Sequence, residues 1–240
     1  MIDLDRISRS HLETEPYQWA AIDRIFSAGN ASALARTFPE DHFKRLADYD
    51  GQKPFEYEVR CLIRLGETAA SRANLLSPTW RALANDFLSP AYRAAMSSLT
   101  GLDLSTTPLE VNVFHYPPGG LHGAHPDHAN KVVTQLMYFN ETWNQEDGGC
   151  LTVLRSSSTD DVANTVSPLV GNSAVLVRSD NSWHAVSPVA KGCHISRRSL
   201  TATFYRHGCV STVWPSWDQV LLGRGHRLLN RLRAAVGGKD

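Results

Sequence analysis

The sequence predicts a mainly β protein with flanking helices: a β-sandwich or barrel that begins near residue 108, with a helical layer before it and a helix after it. Three observations carry that reading. Before Pro108, apolar residues recur mostly at helical spacing; after it, six short segments alternate or are rich in β-branched residues. Between those segments lie turn clusters: Pro117-Pro118-Gly119-Gly120, Glu146-Asp147-Gly148-Gly149 and Val170-Gly171-Asn172. The last segment has one polar and one largely apolar face.

Taken in order, Glu15-Pro16 opens a segment in which Trp19, Ile22, Ile25 and Phe26 recur at helical spacing, and Ala28-Gly29-Asn30 breaks it. A second helix is expected after Pro39, with Phe43, Leu46 and Ala47 on one face, and residues 55–65 read equally as helix or strand. Ser77-Pro78 is a helix start, followed by Trp80, Leu83, Ala84 and Phe87; Pro90 restarts or kinks that helix before Thr100-Gly101. The expected strands are residues 109–116, 131–139, 150–154, 173–178, 184–189 and 197–205. A tail helix is expected over residues 218–236, with Leu221, Leu222, Leu228, Leu229 and Leu232 as its apolar side. No repeat or linker interrupts the chain. One domain is therefore expected over 1–240, with 1–107 as support and pocket-forming region, 108–208 as the β core and 209–240 as the tail.

Composition narrows the function. The chain has 240 residues, and its 24 basic and 24 acidic residues balance, which argues against a nucleic-acid binder. The hydrophobic fraction of 42% and charged fraction of 20% suit a globular protein. Apolar runs are too short to span a bilayer, and the N-terminus shows no signal core, so a cytoplasmic protein without membrane partners is expected. Cys61, Cys150, Cys193 and Cys209 form no CxxC pair and read as reduced, packed thiols.

Chemistry concentrates in Gly120-Leu121-His122-Gly123-Ala124-His125-Pro126-Asp127-His128. In an extended segment His125 and Asp127 project to the same side, so an imidazole and a carboxylate can take adjacent positions on one metal. His184, 57 residues beyond Asp127, opens a later strand and is the candidate third ligand. Two imidazoles and one carboxylate match the facial ligand set of non-haem Fe(II) oxygenases, which leaves open positions; Mn(II), Co(II) or Zn(II) also suits such donors. Arg197, 13 residues past His184, and Ser199 share the polar face of the last strand and can hold a carboxylate. Arg198 falls on the apolar face with Leu200.

Together, His125-x-Asp127, His184 and Arg197-x-Ser199 resemble the 2-oxoglutarate- and Fe(II)-dependent dioxygenases, most closely the prolyl-4-hydroxylase-like branch. The resemblance runs from about Leu109 to Gly208 and includes Tyr116-Pro117, Leu136-Met137-Tyr138-Phe139-Asn140-Glu141-Thr142-Trp143 and Gly148-Gly149-Cys150-Leu151. It implies a double-stranded β-helix, or jelly roll, with helices on one outer sheet. It implies that His125, Asp127 and His184 bind Fe(II), that Arg197 and Ser199 hold the far carboxylate of 2-oxoglutarate, and that Tyr138, Tyr116 and Leu136 line the same pocket. Oxidative decarboxylation of 2-oxoglutarate by O2 to succinate and CO2 would drive the oxidation of a second substrate. Related halogenases lack the carboxylate ligand, so Asp127 points to hydroxylation, desaturation or oxidative cyclisation. The gap from His184 to Arg197 is longer than in many prolyl hydroxylases, and no peptide-recognising region is visible.

A small-molecule substrate, with a role in secondary metabolism, is therefore expected. The alternatives are the same chemistry on a protein residue and a cupin-type metal-binding jelly roll without oxygenase activity. The cupin reading leaves Arg197 and Ser199 unexplained. His122 and His128 read as pocket-wall or solvent residues, His115 as a hydrogen-bonded core or supporting residue, and Trp143 and Trp183 as packing. His194 and His207 receive no role. The leucines of the tail helix would pack on the core or on a second subunit, which leaves a homodimer open.

Overall fold

Why the apolar and polar faces of the last strand differ becomes clear once the helices are placed. The computed structural model describes residues 1–49 and 54–214, and Met1–His207 form one compact unit. The expected tail helix lies outside the described residues. In chain order the elements are α1 (Leu4–Arg9), β1 (Trp19–Ile22), α2 (Ala28–Arg36), β2 (Lys44–Tyr49), β3 (Pro54–Ile63), α3 (Pro78–Leu88) and α4 (Pro90–Thr100). Then come β4 (Leu109–Tyr116), β5 (Leu121–His125), β6 (Lys131–Tyr138), β7 (Leu151–Leu154), β8 (Val162–Val166), β9 (Ser173–Val177), β10 (His184–Val186) and β11 (Arg197–Tyr205).

The strands run antiparallel in the order β1-β9-β6-β11-β4-β3-β5-β10-β7-β8, with β2 added on β3. One layer is β1-β9-β6-β11-β4-β3; the other is β5-β10-β7-β8. They join where Phe55 and Glu56 of β3 pair with His122 and Leu121 of β5. This is the expected jelly roll, a nearly closed sheet whose inner faces enclose a site.

α3 and α4 form where the sequence placed them. Ser77 and Ser89 cap their N-termini by accepting from the Trp80 and Tyr92 amides, Pro78 and Pro90 occupy the first turns, and Gly101 (φ 71°) ends α4. Their buried faces, Trp80, Leu83, Phe87, Tyr92, Met96 and Leu99, share one core with Val111, Val113, Val133, Met137, Leu200, Ala202 and Phe204. Those strand residues are the outer face of the large sheet, so the polar partners of β11 point inward. Trp80 fixes the contact: its ring lies 4.9 Å from Phe139 and 5.5 Å from Phe38, and its indole N–H donates to the Leu34 carbonyl at 3.1 Å.

The first 49 residues depart from the expected helices. Trp19–Ile22 is strand β1, because its backbone completes the edge of β9, with Trp19 opposite Leu176 and Ile22 opposite Ser173. Ala28-Gly29-Asn30 opens a helix rather than breaking one, capped by Ser27, whose side chain accepts from Asn30 N. The residues after Pro39 form the edge strand β2, paired in register with β3 from Lys44 opposite Val59 to Tyr49 opposite Pro54. For β1 and β2, pairing with a neighbouring strand outweighs the local periodicity. Two strands were missed: the metal-motif strand β5 and the exposed β8. The expected strands 131–139, 150–154, 173–178 and 184–189 are shorter by one to three residues.

Candidate active site

His125 ends β5 and His184 opens β10, and the two residues stand directly opposite each other in the β5–β10 ladder. Their ring centroids are 4.4 Å apart. His125 Nδ1 lies 2.8 Å from the Gly123 carbonyl and His184 Nδ1 lies 2.9 Å from the Ser182 carbonyl. A carbonyl accepts only, so each Nδ1 carries the proton and each Nε2 carries the lone pair, the tautomer a metal ligand needs. Asp127 completes the group: one ligand atom from each of His125, Asp127 and His184 lie within 4.8 Å of one another, and all three residues are buried.

Asp127 is held from both sides. Lys131 Nζ donates to Oδ1 at 2.6 Å and Thr134 Oγ1 donates to Oδ2 at 2.7 Å. Burial opposes the charge, yet the Lys131 ammonium, His184 and these hydrogen bonds keep the carboxyl well below the usual carboxylate range. Burial works against the Lys131 ammonium too, and Asp127 more than offsets it, so the pKa of Lys131 is raised.

Arg197 and Ser199 sit deeper, on β11. Arg197 pairs with Tyr116 of β4, and Ser199 pairs with Tyr138 of β6. The guanidinium lies 4.6 Å from the Tyr116 ring centre and 5.2 Å from that of Tyr138. Its Nε donates to the Gly149 carbonyl at 2.6 Å and its Nη1 to Ser199 Oγ at 2.6 Å. Among the described residues, Arg197 Nη2 and Tyr138 Oη are both buried and have no hydrogen-bond partner. Burial pushes the Tyr138 phenol up, against a smaller opposing pull from Arg197, so the hydroxyl keeps its proton. Tyr116 is likewise raised by burial. A cation and a phenol donor left unsatisfied in one buried pocket are what a carboxylate needs. Leu136 and Tyr138, with Leu151, Val153, Ala174 and Leu176, form the apolar lining of this inner space.

Residues of the expected set thus converge: His125, Asp127 and His184 in one group, Arg197, Ser199, Tyr138 and Tyr116 in another, with Leu136 on the wall. The structure adds Lys131, Thr134, Gly149 and Tyr17. Gly149 has φ +64°, and a Cβ there would lie 3.0 Å from Trp143 and 3.1 Å from Val189, so glycine lets its carbonyl reach Arg197. In the sequence, Gly148-Gly149 signals only a turn. Tyr17 donates from its hydroxyl to the Trp183 carbonyl at 3.1 Å and lies near enough to Asp127 for that charge, after burial, to raise its pKa. His122 lies on the pocket wall, its ring 4.2 Å from that of His125 and 5.4 Å from that of Tyr57.

Residues 111–206 match the model of the 2OG-Fe(II) oxygenase superfamily. Among curated proteins no sequence relative matches. Among solved structures, a Pseudomonas putida prolyl-4-hydroxylase is similar with a TM-score of 0.56 and 23% identity, over 85% of this chain and 97% of that one. A Phytophthora capsici prolyl 4-hydroxylase gives 0.58 and 22% over 97% of this chain and 76% of that one. The non-haem α-ketoglutarate-dependent epimerase SnoN of nogalamycin biosynthesis gives 0.50 and 17%, over 85% and 81%. At these identities the structural likeness establishes the shared fold. No helix among the described residues is long and apolar enough to cross a membrane. The family match encloses both the metal-spaced group and the Arg197 pocket, and residues 111–206 are in this respect similar to a 2OG-Fe(II) oxygenase core.

Proposed function

We propose that His125, Asp127 and His184 hold Fe(II), that Arg197, Ser199 and Tyr138 bind the far carboxylate of 2-oxoglutarate, and that the enzyme oxidises a small molecule in the cytoplasm. The observation that carries the cofactor assignment is the pair of unsatisfied buried donors, Arg197 Nη2 and Tyr138 Oη, on the inner face of the large layer, while the metal-spaced histidines belong to the other layer. When bound, Fe(II) supplies open coordination positions for the 2-oxo acid and O2 and couples decarboxylation to substrate oxidation. The chain's part is positional. The two backbone carbonyls keep both imidazoles in the ligating tautomer. Lys131 and Thr134 fix the Asp127 carboxylate and keep it ionised. Arg197 sets the depth of the 2-oxo acid, its own position fixed by Gly149 and Ser199. The apolar lining of Leu136, Leu151 and Val153 excludes water from this end.

A carboxylate at residue 127 favours hydroxylation, desaturation or oxidative cyclisation. A small molecule is supported by the aromatic wall beside the metal group. Tyr57, Phe114, Tyr116, Phe55 and His122 are linked by ring distances of 5.3–6.4 Å. The prolyl reading is favoured by prolyl hydroxylases among its structural neighbours. Anaerobic titration of the Fe(II)-loaded protein with 2-oxoglutarate tests the site. Wild type should develop the visible charge-transfer absorption of a chelated 2-oxo acid, and Asp127→Ala should not. Absence of the band in folded, iron-loaded wild type would overturn the assignment. Succinate release with metabolite panels against prolyl peptides then separates the two substrate classes.

A further inference from the structure

On the opposite face of β3, β4 and β11 from the metal group, three side chains form a relay that the oxygenase reaction does not use. Glu58 and Arg198 are the cross-strand partners of His115 on its two sides, so all three project to the same outer face. His115 Nδ1 lies 2.9 Å from Glu58 Oε2, and Ser196 Oγ is in hydrogen-bond contact with His115 Nε2. A carboxylate accepts only. Nδ1 therefore donates to Glu58, and Nε2 is left to accept the proton of the Ser196 hydroxyl. His115 and Glu58 also line a cavity of about 200 Å3 whose remaining walls are Phe38, Pro39, Phe43, Glu40 and Arg198. Glu58, His115, Ser196 and Arg198 are all partly exposed, at 30–34% where the side chain enters an ion pair.

We propose that Glu58, His115 and Ser196 form a second catalytic centre, which hydrolyses small carboxylic esters. A carboxylate that orients an imidazole, and an imidazole that accepts a serine proton, are the elements of an activated hydroxyl nucleophile. Ser196 Oγ attacks the ester carbonyl carbon as its proton passes to His115 Nε2. The bond to the alcohol oxygen breaks, and that oxygen leaves with the proton from Nε2. Water then attacks the acyl-serine, giving a proton to Nε2, which returns it to Ser196 Oγ as the acid departs. The net reaction is ester plus water to acid plus alcohol, with no oxidant. Arg198 faces His115 and lies over the Phe38 ring at 5.1 Å, with Glu40 at 3.7 Å, beyond hydrogen-bond distance. Its guanidinium is the cation available to the developing oxyanion.

The test uses full-length protein, with and without chelator, so that a metal-bound hydroxide contributes nothing to one arm. A fluorophosphonate probe should label wild type on Ser196, located by peptide mass, and p-nitrophenyl acetate should be turned over equally in both arms. Ser196→Ala and His115→Gln should each lower the turnover by at least about 100-fold, and Glu58→Gln by about 10-fold or more. Wild-type protein that is not labelled at Ser196 overturns the proposal. So does ester turnover that survives Ser196→Ala, because it would come from an unassisted histidine. Labelling of wild type is decisive even where a variant fails to fold. A trio that merely fastens the strand ends would give neither label nor turnover.

Discussion

His184 stands directly opposite His125 in the ladder between β10 and β5, with Val153 of β7 on its other side. Residues far apart in sequence are thereby fixed by backbone hydrogen bonds before any metal arrives. Each ring is then fixed by a carbonyl two residues before it, Gly123 for His125 and Ser182 for His184. Such preorganisation predicts that either histidine is required for binding as well as for turnover. His125→Ala and His184→Ala should each weaken Mn(II), a redox-stable stand-in, by at least about 100-fold, since even supporting contacts of a metal site are worth 10–100-fold. Isothermal titration of the folded proteins measures it, and wild-type-like affinity in either variant would remove that residue from the site.

Arg197 has its Nε on Gly149 and its Nη1 on Ser199, with Nη2 left for a ligand. Charged hydrogen bonds to a carboxylate contribute about 1.5–3 kcal/mol. Arg197→Met should therefore weaken 2-oxoglutarate binding by roughly 10–150-fold while leaving Mn(II) affinity near wild type. Arg197→Lys should recover only part, because an ammonium cannot reach Gly149, Ser199 and the ligand in the same planar geometry. Equal losses of metal and 2-oxoglutarate affinity in Arg197→Met would instead mean general damage to the inner face.

The β core was legible because its signals are local. Strands 109–116 and 197–205 were read to the residue, and the alternation of β11 sorted Arg197 from Arg198 correctly: one lines the inner pocket, the other lies on Phe38. The N-terminal strands were not legible, because Trp19–Ile22 and Lys44–Tyr49 owe their form to β9 and β3. Lys131 was hidden by a bulge. Thr134, Leu136 and Tyr138 face inward, so parity puts Lys131 outward. The ladder with β11 shifts between Val133, opposite Phe204, and Lys131, opposite Tyr205, and the extra residue turns the lysine in toward Asp127. A shift of the same kind lies between His125 and His122, so that both rings face the pocket although they are three positions apart.

Trp80 joins α3 to the sheet through Phe139, Phe38 and the Leu34 carbonyl, and is fully buried. Trp80→Ala should lower unfolding stability by about 3–5 kcal/mol. Trp80→Phe should cost less, since the ring contacts survive and chiefly the indole hydrogen bond is lost. Denaturant unfolding measures both. Equal losses would mean that the Leu34 hydrogen bond, rather than the aromatic contact, holds the helix layer.

Lys131 and Asp127 form a buried ion pair at 2.6 Å, and their pKa shifts have opposite signs. Asp127 is depressed, so its contribution is present above the unfolded value of about 3.9 and is lost as the pH falls through the folded value. Lys131 is raised, so its contribution is present below about 10.4 and is lost as the pH rises through the folded value. The pair should thus support metal-free protein evenly across neutral pH and fail at both ends. Lys131→Met leaves Asp127 buried without its cation, at a cost of about 3–5 kcal/mol, or on the order of 10 °C in melting temperature. Burial then dominates the remaining carboxyl, and the acid-unfolding midpoint should move to higher pH. Mn(II) should narrow the gap to wild type, because a divalent cation at Asp127 replaces the missing positive charge. Melting curves from pH 3 to pH 8, with and without Mn(II), decide it. An unchanged acid midpoint in Lys131→Met would show that Thr134 and His184 suffice to keep Asp127 ionised.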